Sequence, residues 1–276
     1  KLLKNKINIM ATITTALFDI KKTRVKNHKL ALKTFDNYLD VFKITLQLNC
    51  PMVIYTEEKV KEFILKYRPK DYKTKIIIQK LENISYYKYY DKIEKILKSN
   101  EYKKRIKDNE RIECNLPEYT IIQYSKLGWL KETIHSNPFN TKYHLWMDAG
   151  CSRFFANSDL LKPFPSPKVI NLLNNGKILA QCRDDINRIN INDNFIWTSY
   201  NVISGGLFGG LSTTILELAN DVEYIWNEYF LKNNCVNNEQ LVFGIIWKLK
   251  PHLFQLIMNK SQWGEHLPLF RIMYAT

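Results

Sequence analysis

Two hydrophobic periods alternate along the first half of the chain, one of about two residues and one of about 3.6. Ile7 to Phe18 is β-branched and apolar with Thr interleaved, which predicts a buried strand. Leu30 to Leu46 sets Ala31, Phe35, Tyr38, Leu39, Phe42 and Leu46 at helical spacing, an amphipathic helix. Pro51 to Tyr55 is a short buried strand. Thr56 then stands where an N-cap would, with Glu57 and Glu58 in the first turn of a second helix. Thr74 to Gln79 is a third strand. Strand, helix, strand, helix, strand implies right-handed crossovers and a parallel sheet.

The pattern continues to the end of the chain. Tyr86 to Lys107 reads as a Lys- and Tyr-rich helix with a solvated basic face, and Pro117 to Ser136 as another helix. Tyr143 to Met147 is a fourth strand that ends at Asp148. Pro163, Pro165 and Pro167 mark a loop. Lys177 to Cys182 and the Gly-rich Val202 to Gly210 are strands. Helices over Thr214 to Phe230 and Asn238 to Lys248 follow, and Leu253 to Ile257 is a last strand. No internal repeat or long linker interrupts the pattern, so a single domain is expected over 1–276. In such α/β sheets ligands bind beyond the carboxyl ends of the strands. Those ends are Phe18-Asp19, Tyr55-Thr56 and Asp148-Ala149-Gly150.

Composition narrows the classes. A chain of 276 residues with 45% hydrophobic content can bury a sizeable core. The formal net charge of +14 favours anionic partners: nucleic acid, an anionic membrane surface or a phosphorylated substrate. Abundant Lys, Asn and Ile resemble coding from an AT-rich genome, which accounts for much of that charge. A nucleic-acid-binding protein or nuclease is thus the rival reading, but the sequence has no recognised nucleic-acid motif and no cluster of metal-ligand carboxylates. The five cysteines form no CxxC pair, which fits a reducing, cytoplasmic compartment better than a disulfide framework or zinc ribbon. No apolar stretch approaches the ~20 residues needed to span a bilayer. Ile7 to Leu17 is broken by Asn8, Thr12, Thr14 and Thr15 and lacks a signal-peptide cleavage pattern. The chain begins with Lys1, as a fragment of a longer protein would, and an anchor outside it stays open.

Asp148 is the sharpest chemical signal. An apolar strand delivers one carboxylate to its end, and Ala149 and Gly150 keep the approach clear. A carboxylate there can hold a divalent metal that neutralises a diphosphate, or it can simply cap the following turn. Trp146-Met147-Asp148-Ala149-Gly150-Cys151-Ser152-Arg153 resembles the Trp-x-Asp-Ala-Gly-x-x-Arg segment of the HtrL/YibB family. The resemblance extends to Thr14-Thr15-Ala16-Leu17-Phe18-Asp19-Ile20, Tyr124-Ser125-Lys126, Asn137-Pro138-Phe139, Gly205-Gly206-Leu207-Phe208-Gly209-Gly210 and Asn238-Glu239-Gln240. That family is similar in layout to GT-A glycosyltransferases. The implied fold is α/β, GT-A-like (Rossmann-like), with a mixed, mostly parallel sheet flanked by helices. Residues 1–150 would form the nucleotide-binding half and 151–276 the half for donor sugar and acceptor.

The resemblance implies transfer of a sugar from a nucleoside diphosphate sugar, a UDP-sugar first, to a glycan, lipid or protein acceptor. A catalytically inactive sugar-nucleotide-binding module is the alternative within that fold. GT-A enzymes carry an Asp-x-Asp motif; here Gly150 replaces the second Asp. The expected Mn²⁺ or Mg²⁺ site is therefore Asp148 with His266 recruited from late in the chain, although His266 could equally be an ordinary histidine. Ala16, Phe18, Tyr55, Thr56 and Met147 are the candidates around the base and donor, with Gly150 beneath it. Arg68, Lys126 and Arg153 are candidate diphosphate partners, each able to be a plain surface cation instead. Gly205 and Gly206 would let a hexose lie on the backbone, or mark a bulge. Asp184, Asp185 and Gln240 are candidates for sugar or acceptor. Glu239 is the candidate general base, unless it is only a first-turn residue behind an Asn237 cap. The family motif has an acidic residue where Asn238 stands.

Overall fold

The computed structural model describes residues 11–21, 34–154, 160, 162, 164–258 and 268–273. Among these residues seven strands form one sheet: β1 (Ala11–Leu17), β2 (Met52–Thr56), β3 (Thr74–Ile78), β4 (Tyr143–Met147), β5 (Ile178–Cys182), β6 (Ile203–Leu211) and β7 (Phe254–Met258). Their order across the sheet is β3-β2-β1-β4-β6-β5-β7. β1 pairs parallel with β2 and β4, β2 with β3, and β5 with β7. Only β6 runs against its neighbours, β4 and β5. The expected layout, a mixed and mostly parallel sheet flanked by helices, is the one the chain adopts.

Helices cover both faces, which is why the strands read as near-continuous apolar runs. Successive side chains on a strand point to opposite faces. On one face Tyr55, Trp146 and Phe208 pack with α5 (Pro117–Ser136), α7 (Ser212–Ile225) and α8 (Glu239–Leu249). On the other, Ile13, Ile54 and Leu145 pack with α1 (Phe35–Thr45), α2 (Glu58–Tyr67), α6 (Pro167–Leu173) and α9 (Pro268–Met273). Two short helices, α3 (Tyr90–Lys98) and α4 (Asn100–Arg105), complete the described set.

Several local expectations need correction. Thr56 ends β2 and the N-cap of α2 is Glu57, because the Thr56 hydroxyl is spent on the Leu17 carbonyl at 2.7 Å. Tyr86 to Lys107 is not one helix: Ser99 takes an extended backbone, and its hydroxyl caps α4 by accepting from the Tyr102 N–H. Pro167 begins α6 rather than belonging to a loop, with Ser166 as N-cap, a Ser-Pro start signal visible in the sequence. The cap of α8 is Asn238, whose side chain accepts from the Leu241 N–H; Asn237 is buried and donates to the Ile196 and Thr198 carbonyls instead. No helix among the described residues is long and apolar enough to cross a membrane.

Candidate active site

Parallel pairing brings the carboxyl ends of β1 and β4 to one edge of the sheet, and the reversed β6 enters that same edge beside them. The Asp148 N–H donates to the Gly206 carbonyl at 2.8 Å, joining the end of β4 to the start of β6. The loop after Asp148 is fastened to α1: the Thr45 hydroxyl donates to the Ala149 carbonyl at 2.8 Å, and the Ser152 hydroxyl to the Val41 carbonyl at 2.6 Å. A cavity of about 790 Å³ opens at this edge, a size suited to a small-molecule ligand.

Three charged side chains meet in its wall. The Lys126 ammonium donates to Glu239 Oε1 at 2.7 Å and to the Gly205 carbonyl at 3.0 Å, and lies 3.1 Å from Asp148 Oδ1. An ammonium has three protons, so all three have acceptors here. Trp146 Nε1 also donates to Asp148 Oδ1, at 2.6 Å. The Lys126 and Glu239 side chains are 5% and 2% exposed, whereas Asp148 is 42% exposed. Burial alone would lower the lysine pKa, but the two carboxylates and their hydrogen bonds outweigh it and raise it, so the ammonium stays charged. Burial raises the Glu239 carboxyl, opposed by Lys126. Beneath the triad, Phe18, Trp129 and Trp146 stack in a ladder with centroids 5.4 and 5.8 Å apart.

Of the residues singled out in the sequence, Ala16, Phe18, Lys126, Asp148, Gly150, Arg153, Gly206, Glu239 and Gln240 line this cavity. Gly205 contributes differently. A Cβ on it would fall 2.1 Å from Glu239 Oε1, so its missing side chain makes room for Glu239 rather than for a sugar. A Cβ on Gly206 would lie 3.5 Å from Asp148 Oδ2 and 3.3 Å from Cys151 Sγ, beside the cavity. Gly209 serves the sheet alone, since a Cβ there would meet the His144 carbonyl at 2.6 Å.

Other candidates lie elsewhere. Tyr55 points into the core, stacked on Trp129, with its hydroxyl 3.2 Å from Thr133 Oγ1. Met147 is buried on the opposite face of the sheet. The Arg68 guanidinium donates to the Leu46, Leu48 and Cys50 carbonyls and to Thr74 Oγ1, so it braces the amino ends of β2 and β3 and cannot reach a diphosphate. Asp185 accepts from the Asn187 N–H and pairs with Arg188, and neither it nor Asp184 lines the cavity. His266 lies outside the described residues. The expected metal site, Asp148 with His266, is therefore described only at its Asp148 end. There, position 150 offers no carboxylate and Asp148 Oδ1 is already taken by two donors; among the described residues no group of three His, Cys, Asp or Glu side chains converges.

The sequence reading missed the helical wall. Tyr119, Ile122, Gln123 and Lys126 of α5 lie at i, i+3, i+4 and i+7 and all face the cavity. Arg183 and Ser204 line it as well. The α5 spacing was available in the sequence, but attention to strand ends alone passed over it.

The chain belongs to the HtrL_YibB family: the model for this family, described as bacterial protein of unknown function, matches residues 9–275. No curated protein matches the sequence at a significant level. Among solved structures, the apo form of mouse xyloside xylosyltransferase 1 is similar at TM-score 0.43 and 11% identity, over 90% of this chain and 85% of that one. The 4-diphosphocytidyl-2C-methyl-D-erythritol synthase of Anaerococcus prevotii gives TM-score 0.38 and 12% identity, over 92% and 90%. A cytidylyltransferase of Leptospira borgpetersenii gives 0.36 and 11%, over 93% and 78%. At such identities and scores, neither ligand nor reaction is carried over from them.

Proposed function

We propose that this cavity holds a nucleoside diphosphate sugar, with UDP as the first nucleotide to test, and that the protein transfers the sugar to an acceptor hydroxyl. One observation carries the reading. Gln123 Oε1, Glu239 Oε2 and Gln240 Oε1 are buried side-chain oxygens with no donor among the described residues, and all three residues line the same cavity. An unmet buried acceptor costs roughly 1–3 kcal/mol. A ligand with several hydroxyl groups supplies the missing donors, as a sugar does.

The surroundings support the rest. Phe18 and Ala16, at the end of β1, offer a flat apolar place for a base, and Arg153 and Arg183 offer guanidinium groups to a diphosphate. In the transfer, the bond from the anomeric carbon to the phosphate oxygen breaks and its electron pair leaves with the phosphate. The acceptor oxygen forms the new bond to that carbon, and its proton passes to the carboxylate of Glu239. Lys126 keeps that carboxylate ionised while burial makes it a stronger base than an exposed one. Glycan, lipid and protein hydroxyls all satisfy this chemistry.

A thermal-shift screen of nucleotides and sugar nucleotides tests the reading. Ligand at ~100 times its dissociation constant adds roughly 2.7 kcal/mol of stability. A sugar nucleotide should raise the melting temperature more than its nucleoside diphosphate does. If no sugar nucleotide shifts it at millimolar concentration, the proposal fails. Binding without any release of nucleoside diphosphate in the presence of acceptors would mark an inactive sugar-nucleotide-binding module.

A further inference from the structure

A diphosphate leaving group needs positive charge beside it, and the triad shows where that charge comes from. Magnesium sites of this kind use one or two carboxylates together with substrate phosphates and water. Here the two carboxylates of the triad, Asp148 and Glu239, are bridged by the Lys126 ammonium at 3.1 and 2.7 Å. Asp148 Oδ1 is further occupied by Trp146 Nε1. A divalent ion joining these carboxylates would have to displace an ammonium that is 5% exposed and bonded to three acceptors.

The other approach to Asp148 is also cationic. Among the described residues, a Cβ built on Gly150 meets one atom within 4 Å, Nη1 of Arg153 at 3.9 Å. A carboxylate at position 150 would project toward that guanidinium. The chain thus has a guanidinium on the side where a second metal-binding carboxylate would stand. Lys21 and Arg183 line the same cavity.

We propose that this site works without a divalent metal: Lys126 fixes the two carboxylates, and the guanidinium groups of Arg153 and Arg183 meet the diphosphate. The diphosphate half rests on the nucleotide-sugar reading; the exclusion of a metal between Asp148 and Glu239 rests on the ammonium that already bridges them. Such fixed charges cost no reorganisation as negative charge develops on the leaving oxygen.

Two measurements on the whole protein test this and separate it from the function itself. The six-line electron paramagnetic resonance signal of free Mn²⁺ should persist when the ligand-free protein is added in excess. A signal lost with the wild type and regained with Asp148→Asn overturns the proposal. Calorimetric titration of UDP should give affinities within about twofold in EDTA and in Mn²⁺, and Arg153→Ala should weaken UDP at least tenfold. Affinity at least tenfold higher with Mn²⁺, or an Arg153→Ala protein with unchanged affinity, overturns it. If Mn²⁺ stays free and no nucleotide binds in either buffer, the nucleotide-sugar reading falls while the exclusion of the metal stands.

Discussion

Replacing Lys126 by Met removes the one cation inside the triad and leaves the chain almost the same volume. Glu239, 2% exposed, would then hold a charge with no partner, and the Gly205 carbonyl would lose its donor. Stripping one partner from a buried pair costs about 3–5 kcal/mol. The Asp148 arm adds little, because that side chain is 42% exposed and water screens it. Glu239 has an escape, since it can take up a proton. Against an unfolded carboxyl pKa near 4.5, protonation at pH 7 costs about 3.4 kcal/mol, at roughly 1.4 kcal/mol per pH unit. That caps the penalty at pH 7 and shrinks it to about 0.7 kcal/mol at pH 5. The unmet Gly205 carbonyl leaves about 1 kcal/mol at any pH. Urea denaturation of wild type and Lys126→Met at pH 7 and pH 5 measures both values. The gap should be about 3–4 kcal/mol at pH 7 and less than half that at pH 5. Lys126→Met combined with Glu239→Gln should recover most of the loss at pH 7. A gap below ~1 kcal/mol at pH 7, or one that does not narrow at pH 5, refutes the buried-charge account.

Three further expectations follow from single contacts. Gly205→Ala drives a Cβ to within 2.1 Å of Glu239 Oε1, so it should cost about 1–3 kcal/mol and abolish transfer, while Gly206→Ala stays folded within about 1 kcal/mol; equal effects in denaturation would reject the distinction. His144 is buried on β4 and burial lowers its pKa to about 4, so the unfolded chain binds the extra proton between about pH 6.5 and 4. Its contribution is complete above pH 6.5 and lost as pH falls: wild type should lose about 2 kcal/mol more than His144→Gln between pH 7 and 5, and parallel curves would contradict this. Arg68→Met should lower stability by about 2–5 kcal/mol without changing UDP affinity in the folded protein, and a weakened affinity would return Arg68 to the site.

The sheet was legible because period and length agree wherever the strands are buried on both faces. β4 and α5 have the boundaries read from the sequence, Tyr143–Met147 and Pro117–Ser136. Asp148 was found because a strand end is a place, not merely a residue type. The failures share a physical cause. Tyr55, Thr56 and Met147 stand at strand ends in sequence and Arg68 just after α2, but the side a residue faces depends on pairing and on what packs above it. Tyr55 faces Trp129, and Arg68 faces the carbonyls of Leu46, Leu48, Cys50 and Lys73 at the amino ends of β2 and β3. The partners of Lys126, Asp148 and Glu239 are up to 113 positions apart. Single residues hinted at charge, but only the reversed β6 and the α5 wall bring those charges together.

The central claim is that the cavity holds a sugar attached to a nucleoside diphosphate, and calorimetric titration of UDP-sugars against UDP measures it most directly. On the wild type, one UDP-sugar should bind more tightly than UDP, because the added sugar brings further hydroxyl donors for Gln123, Glu239 and Gln240. On folded Gly206→Val, bulk placed beside Asp148 should erase that advantage and leave UDP nearly unchanged. Wild-type protein that binds UDP and every UDP-sugar alike, or binds none of them, would contradict the account.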